Sequence, residues 1–300
     1  MRQDAKPLTI HQKGVLLTGL GGLLFTFDIP LLRLAGGDQW TLIFGRGLLL
    51  FLAITAWWFL WYRMRGHKVP YINGWPGLIV ACTNTLANVM FIAAVTRTTA
   101  ANLVFILALV PILCALIARI VLGEKLHPWT WIAVFLSFLG VTIIVGDGLT
   151  TGTAFGDSLA LGVALMTAIA LSVIRKTGKN VVTSLAVGSL ASGLIASMWA
   201  APLALSAVGW GWLGLNGLIV IPLASALIAL GPRYLPAPEV AMFFLLDTVL
   251  TPIWIWAIFA ELPTLVSLIG GSIVVVTLAA HSLWRFRTNE AGPLIDLSLR

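Results

Sequence analysis

About ten apolar stretches of roughly 20 residues each, almost free of charged side chains, follow one another along this chain of 300 residues. A helix of that length spans about 30 Å, which matches the hydrocarbon thickness of a bilayer. Hydrophobic residues make up 59% of the chain and charged residues 10%, and a water-soluble domain of this size cannot bury so much apolar surface. The runs lack the two-residue alternation of a membrane strand. The sequence therefore predicts an all-α membrane protein.

Turn and charge signals between the apolar stretches predict ten transmembrane helices. Fifteen of the 18 Lys and Arg residues lie in the tails, in the connections or at the adjoining span ends on one side of the membrane, whereas only Arg33 and Arg97 lie on the other side. Arg46 lies within a span. The positive-inside rule then places both termini in the cytoplasm. The predicted spans are residues 13–32, 39–62, 74–95, 98–121, 129–146, 154–174, 181–203, 210–230, 238–258 and 263–284.

Two parts of the chain share a spacing that indicates an internal repeat. Val110 precedes Glu124 by the same number of residues as Asp247 precedes Glu261. In each part an apolar helix ends at a Glu, and a short loop and a glycine-containing last helix follow. We predict two five-helix repeats, residues 1–148 and 149–290, and a cytoplasmic tail, 291–300. Because five is odd, the repeats have opposite orientations, which is typical of transporters with a substrate site near the membrane midplane.

Short motifs add a family resemblance to this pattern of spans. The second span contains Phe44-Gly45-Arg46, and the fourth ends in Pro111…Gly123-Glu124. With ten spans, these motifs resemble the EamA-type members of the drug/metabolite transporter superfamily over essentially the whole chain. Within that superfamily the chain is most similar to the YddG-type exporters of aromatic amino acids. The resemblance implies two inverted five-helix halves around a central cavity and export of small metabolites or amino acids across a bacterial inner membrane.

Polar side chains inside a membrane are costly, so those at mid-depth are candidate site residues. Asp247 lies near the midpoint of the ninth span, and Phe243 and Thr251 share its face at a spacing of four residues. Asp247 could couple protons or bind a substrate amine, with Phe243 stacking on the substrate. The alternative is a neutral, hydrogen-bonded acid that fixes helix packing.

Three polar residues of the third span form a second group of candidates. Asn84 and Asn88 lie one helical turn apart on one face, and Thr85 adjoins them. Their amides could bind a zwitterion or could instead bond across to a neighbouring helix. At the start of the fourth span, Asn102 and Phe105 could line the same cavity, although Asn102 could equally satisfy the helix N-terminus.

Asp28 and Arg46 lie at similar depths in the first two spans, which predicts an ion pair. The pair could be structural, or it could act as an outer gate or a clamp for a substrate carboxylate. Glu261 lies at a helix end, where we expect it only to contact solvent. Asp147 and Asp157 follow glycines at helix ends, where two catalytic carboxylates could not meet.

The sequence favours a transporter over an enzyme. It contains no P-loop, no H-E-x-x-H and no G-x-S-x-G, and none of the four histidines reaches mid-membrane. We predict a secondary transporter of the inner membrane that exports small amphipathic metabolites, especially aromatic or other neutral amino acids, by alternating access. An exporter of drugs, organic cations or nucleotide-like metabolites and a passive uniporter are the alternatives.

The expected partners follow from this function. They are the lipid bilayer and a small-molecule substrate, with a proton as the candidate coupling ion. Because the basic residues are scattered among loops, we expect no nucleic-acid partner. We also expect no cofactor and no metal, since both cysteines lie inside apolar runs. The chain is expected to be a monomer or a weak homodimer.

Overall fold

The computed structural model of the protein describes residues 10–65, 72–122, 127–177, 182–230, 243 and 245–287. Within these ranges the chain is helical and contains no strand. A 3-10 turn lies at Pro202–Ala204 and a π-helical turn at Leu215–Val220. The α-helices are α1 Ile10–Phe25, α2 Asp28–Ala35, α3 Gln39–Arg65, α4 Gly74–Val95, α5 Ala100–Leu107, α6 Val110–Leu122, α7 Pro128–Thr151, α8 Ala154–Thr177, α9 Val182–Ala196, α10 Ala207–Gly214, α11 Ile221–Leu230, α12 Leu245–Phe259 and α13 Leu265–Arg287.

Seven helical segments are long and apolar enough to cross a membrane. Three shorter apolar helices lie where the seventh, ninth and tenth spans were predicted: Thr183–Ala196, Leu246–Phe259 and Leu265–His281. The all-helical prediction is confirmed, whereas the count of ten spans and the inverted arrangement of two halves stay predictions. The seven segments are Gln12–Ala35, Gln39–Leu60, Gly74–Val95, Ala100–Ile120, Pro128–Thr151, Ala154–Ile174 and Ala207–Ile228.

Apolar side chains cover the outside of the bundle, and several polar ones are buried inside it. Ile120, Trp75 and Phe135 expose 81%, 75% and 68% of their surface, whereas Asp28 and Arg46 expose only 8% and 6%. In water each exposed ring or branched chain would cost free energy in proportion to its apolar area. The distribution therefore fits a protein whose outer surface contacts lipid.

Three of the spans are interrupted part-way along, and a proline follows each interruption. A turn at residues 26–27 separates α1 from α2, a turn at 108–109 separates α5 from α6, and the π-helical turn separates α10 from α11. Pro30, Pro111 and Pro222 lie in the first turn after these points. Because proline lacks an N–H and clashes with the carbonyl four residues earlier, each one frees a backbone acceptor. Inside a membrane such irregular backbone is tolerated only where other protein groups or a wet cavity satisfy it.

Glycines allow α7 and α13 to cross in close contact. A Cβ atom added at Gly140 would lie 2.7 Å from the backbone oxygen of Gly270, and one added at Gly270 would lie 2.6 Å from that of Gly140. Small residues at such crossings let helix backbones approach in a membrane, where packing drives association. Gly146, in the same helix α7, has nothing within 4 Å of an added Cβ.

We expect Gly140→Ala to destabilise the protein and Gly146→Ala to leave it nearly unchanged. The first change forces a methyl group onto the backbone of α13, and overpacking of this kind costs about 1–3 kcal/mol. The free energy of unfolding of the two variants in detergent micelles would test this. Equal stability of both variants would contradict the close crossing of α7 and α13.

A short loop, residues 36–38, joins α2 to α3. Gly36 and Gly37 have φ angles of 64° and 86°, a region that favours glycine. The Asp38 carboxylate accepts hydrogen bonds from the backbone N–H groups of Trp40 at 2.8 Å and Thr41 at 3.0 Å, which caps α3. Burial raises the pKa of the Asp38 carboxyl, but the hydrogen bonds from Thr41 and Trp40 outweigh this and hold that pKa below its ordinary value.

Candidate functional site

Asp28 and Arg46 form a buried ion pair between α2 and α3. Asp28 lies seven residues before Ala35 and Arg46 seven residues after Gln39, so the short loop brings both to the same depth. Nη2 of Arg46 donates to Oδ2 of Asp28 at 2.8 Å. The contact expected from the sequence is therefore present. Because both charges are removed from solvent, each one depends on the other for compensation.

Asn216 completes this ion pair from the π-helical turn. Its Nδ2 donates to Oδ1 of Asp28 at 2.8 Å and to the backbone oxygen of Asp28 at 3.2 Å. The residue is fully buried. Asn216 was not among the predicted site residues, although an amide in the middle of an apolar span can be recognised from the sequence. A π-helical turn is a common device for placing a side chain at a functional site.

The guanidinium of Arg46 also faces the aromatic ring of Phe91 on α4. Its central carbon lies 4.9 Å from the centroid of that ring, within the range of a cation–π contact. Among the described residues, Nε and Nη1 of Arg46 and Oδ1 of Asn216 are buried and have no hydrogen-bond partner. The ion pair thus uses only part of the hydrogen-bonding capacity of both side chains.

Residues of α12 satisfy the backbone at the break between α1 and α2. Pro30 cannot donate to the carbonyl of Thr26, and the hydroxyl of Thr251 donates to it instead at 3.1 Å. Trp254 Nε1 donates to Oγ1 of Thr26 at 3.0 Å, and the Trp254 ring stacks on Phe27 with centroids 5.1 Å apart. Contacts with α12, a helix of the second predicted repeat, therefore stabilise the break between α1 and α2.

Asp247 lies on α12 beside the same break. Its Oδ1 accepts a hydrogen bond from Thr251 at 2.6 Å, and its side chain is half-buried. Phe243 packs against α1, where an added Cβ at Gly19 would lie 3.3 Å from its ring. We use the name break site for Thr26, Phe27, Asp28, Arg46, Asn216, Asp247, Thr251 and Trp254.

Comparison with known proteins shows which family the first part of the chain is similar to. Residues 12–146 match the EamA-like transporter family. The match covers slightly less than half of the chain and shows what this part is similar to. It covers the helices that carry Asp28 and Arg46, whereas Asn216 and Asp247 lie beyond it.

A fold comparison covers nearly the whole chain. One crystal structure, described only as that of a protein, superimposes with a TM-score of 0.65 over 91% of this chain and 98% of that chain. The two sequences are 14% identical, so the likeness concerns the fold alone. No curated protein matches the chain.

Within the EamA-matching part, the polar residues of α4 contact α9. Asn84 Nδ2 donates to the backbone oxygen of Leu185 at 2.9 Å and to Oγ of Ser189 at 3.2 Å. Asn88 Nδ2 donates to the same Oγ at 3.3 Å, and Thr85 donates to the backbone oxygen of Gly188 at 3.1 Å. These are the cross-helix bonds that the sequence left as an alternative to substrate binding. The three side chains remain half-buried.

Asn102 and Phe105 are buried by helices of the second predicted repeat. Nδ2 of Asn102 donates to Oδ1 of Asp157 at 3.2 Å, and its Oδ1 accepts from Oγ of Ser267 at 2.6 Å. The ring of Phe105 packs against α13 at Gly271, leaving no space there for a Cβ atom. These contacts are with Asp157, Ser267 and Gly271, none of which belongs to the break site.

Asp157 is a further buried residue whose role the sequence analysis missed. It is fully buried and accepts hydrogen bonds from Thr98, Asn102 and Thr153. The expectation for Glu261 was wrong, because its carboxylate forms an ion pair with Arg33 and accepts from the backbone N–H of Ala100. The position of a residue along a span predicts its depth in the membrane, but it does not show that neighbouring helices cover the end of that span.

These contacts lie at the end of the bundle that carries residues 36–38, which we call the Gly36 end. They join the two predicted repeats through the pairs Arg33–Glu261, Thr98–Asp157, Asn102–Asp157, Asn102–Ser267 and Asp147–Thr264. Among the described residues, no group of three or more His, Cys, Asp or Glu side chains could hold a metal ion.

Proposed function

We propose that this protein is a secondary transporter of the bacterial inner membrane. It exports small amphipathic metabolites, above all neutral amino acids and aromatic ones among them, by alternating access. The observation that carries the proposal is the break site, where an interrupted helix, a cation, two acids and two stacked aromatic rings meet inside an apolar bundle. Buried ionisable groups beside irregular membrane helices are typical of transport sites.

The composition of the break site suits a zwitterion that carries an apolar side chain. The cationic Arg46 can face a carboxylate, the acidic Asp247 can face an ammonium group, and Phe27 and Trp254 offer aromatic surface. A site with acids alone would favour cations. The likeness to YddG-type exporters remains part of this proposal, and it agrees with aromatic substrates.

The pattern of helix contacts supports two related halves. If the two predicted repeats are related, α9 is the counterpart of α3 and α13 is the counterpart of α7. Each of these helices packs against its own counterpart. By the same correspondence, α11 is the counterpart of α4 and α1 is the counterpart of α8. Both related contacts occur, α4 with α8 and α11 with α1. Glycines mark both self-paired crossings, Gly47 with Gly193 and Gly140 with Gly270. An inverted repeat predicts such reciprocal contacts.

The polar pairs at the Gly36 end supply a gate for alternating access. Each pair joins one predicted repeat to the other, and together they hold the halves in contact on that side of the break site. Opening the site toward the Gly36 end requires these bonds to be exchanged for water. Separation of the two halves at this end, and closure at the opposite end, forms the proposed transport cycle.

A second candidate function is export of organic cations. The observation that favours it is the charge composition of the break site, which contains two acids, Asp28 and Asp247, and one base, Arg46. An organic cation would bring the positive charge that these two acids and Arg46 together lack.

Flux into proteoliposomes tests the proposal. The purified full chain is reconstituted and the uptake of radiolabelled phenylalanine, leucine and 2-phenylethylamine is measured with and without a pH gradient. We expect saturable uptake of the amino acids that responds to the gradient. Saturable uptake of the amine alone would favour the cation exporter. Unsaturable flux that ignores the gradient would contradict coupled transport and would indicate passive uniport.

A further inference from the structure

Two of the three guanidinium nitrogens of Arg46 have no hydrogen-bond partner among the described residues. Nη2 donates to Asp28, whereas Nε and Nη1 are buried and unpartnered. The side chain is only 7% exposed. Nε carries one N–H and Nη1 carries two, so three charged donors lack an acceptor. Buried donors of this kind are rare in native proteins, because they lose their hydration without replacement.

An unpartnered acceptor accompanies these donors. Oδ1 of Asn216 is buried without a partner among the described residues, while Nδ2 of the same amide is bound to Asp28. Arg46 and Asn216 therefore bind the same carboxylate, and each leaves its remaining polar atoms unused. A ligand that satisfied both would present an anionic acceptor to Arg46 and a donor to Asn216.

Charge decides which anion fits. Asp28 already neutralises Arg46, and Asp247 adds a second acid to the break site. A phosphate would bring about two further negative charges beside these acids, whereas the carboxylate of an amino acid arrives with its own ammonium group. The ring of Phe91 lies against the guanidinium at 4.9 Å and restricts its orientation.

We propose that Arg46 binds the carboxylate of the transported molecule through Nε and Nη1, and that Oδ1 of Asn216 accepts a hydrogen bond from its ammonium group. This inference rests on the proposed function and narrows its substrate class to α-amino acids. Asp28 is then a positioning residue that holds Arg46 and Asn216 in place. In the transport cycle, the ligand replaces the water that these atoms bind when the site is open.

Three ligands with one aromatic skeleton separate the groups involved. L-phenylalanine carries both charges, 3-phenylpropionate carries only the carboxylate, and 2-phenylethylamine carries only the ammonium group. Their affinities for the purified full chain follow from the ligand-dependent rise of the unfolding midpoint. We expect phenylalanine to bind most tightly and the amine to bind at least about tenfold more weakly, because Arg–carboxylate bonds are among the strongest hydrogen bonds in proteins.

Arg46→Lys tests the residue itself. Lysine keeps a charge for Asp28 but presents a compact ammonium without the guanidinium edge, so we expect about a tenfold loss of phenylalanine affinity. Arg119→Lys is the matched control, since the guanidinium of Arg119 also faces an aromatic ring, that of Trp131 at 5.6 Å, but belongs neither to the break site nor to the Gly36 end. The phenylalanine affinity of this variant should match that of wild type. If Arg46→Lys does not fold, Phe91→Leu weakens the same contact and should lower phenylalanine affinity without changing that for the amine.

The outcomes distinguish this inference from the proposed function. The inference is overturned if the folded Arg46→Lys variant binds phenylalanine as tightly as wild type, or if the amine binds as well as the amino acid. In that case water, and not the substrate, binds the unpartnered atoms of Arg46 and Asn216. Transport by the protein would be unaffected by that result. If no member of a wider panel of amino acids, carboxylates and amines stabilises the protein and none is transported, both the inference and the proposed function fail.

Discussion

Asp28→Ala is expected to destabilise the protein strongly, and more than Glu261→Ala does. The substitution leaves the guanidinium of Arg46 buried without a counter-ion and takes the acceptor away from Asn216. Breaking a buried ion pair by removing one partner costs about 3–5 kcal/mol. The free energy of unfolding in mixed micelles of sodium dodecyl sulfate measures this loss.

Two comparisons make the expectation specific to the buried pair. Replacing both charges in Asp28→Ala/Arg46→Met should recover much of the stability, because an apolar substitution leaves no charge uncompensated. Glu261→Ala breaks the more exposed pair with Arg33, whose side chains are 18% and 29% exposed for Arg33 and Glu261, and should cost only about 1 kcal/mol. A loss for Asp28→Ala no larger than that for Glu261→Ala would contradict the buried ion pair.

Asp247→Asn is expected to remove the response of transport to a pH gradient and to slow uptake. Asparagine has nearly the same shape and its oxygen can still accept the hydrogen bond from Thr251, so the fold should be kept. The negative charge is lost, and with it the charged hydrogen bond that Asp247 would accept from the ammonium group of the substrate. Such a bond is worth about 1.5–3 kcal/mol, or about tenfold or more in rate. Initial uptake rates in proteoliposomes at several pH gradients measure both effects.

The control for this variant is another buried acid away from the break site. Asp157→Asn alters a fully buried carboxylate at the Gly36 end, where the neighbours are hydroxyl and amide donors. We expect Asp157→Asn to change the transport rate while its dependence on the pH gradient stays. If the transport rate of Asp247→Asn depends on the pH gradient as that of wild type does, Asp247 does not couple protons. Its role is then to fix helix packing.

Much of the fold follows from composition and charge. The apolar stretches correspond to helices, and the equal distance of Asp28 and Arg46 from the loop between them explains why their pairing could be predicted. Depth in a membrane is nearly a linear function of position along a helix, so residues at equal depth in adjacent antiparallel spans can be matched from the sequence.

The lateral contacts could not be predicted in this way. Asn84 and Asn88 share a face, but the sequence does not say that Ser189 of α9 lies opposite them. Asn216 depends on a π-helical turn, which rotates the helix face and has no periodic signature. Asp157 lies at the end of a span yet is covered by neighbouring chain, because tertiary packing rather than depth determines its burial.

The account depends on two halves that cross the membrane in opposite directions with the break site between them. Labelling from outside the cell tests this directly, after Cys82 and Cys114 are replaced by serine and single cysteines are placed at an N-terminal tag, at the exposed Thr151 and at Ser298. The account predicts that a membrane-impermeant maleimide labels only Thr151→Cys in intact cells and all three positions after lysis. Labelling of either terminus in intact cells, or protection of Thr151→Cys, would contradict it.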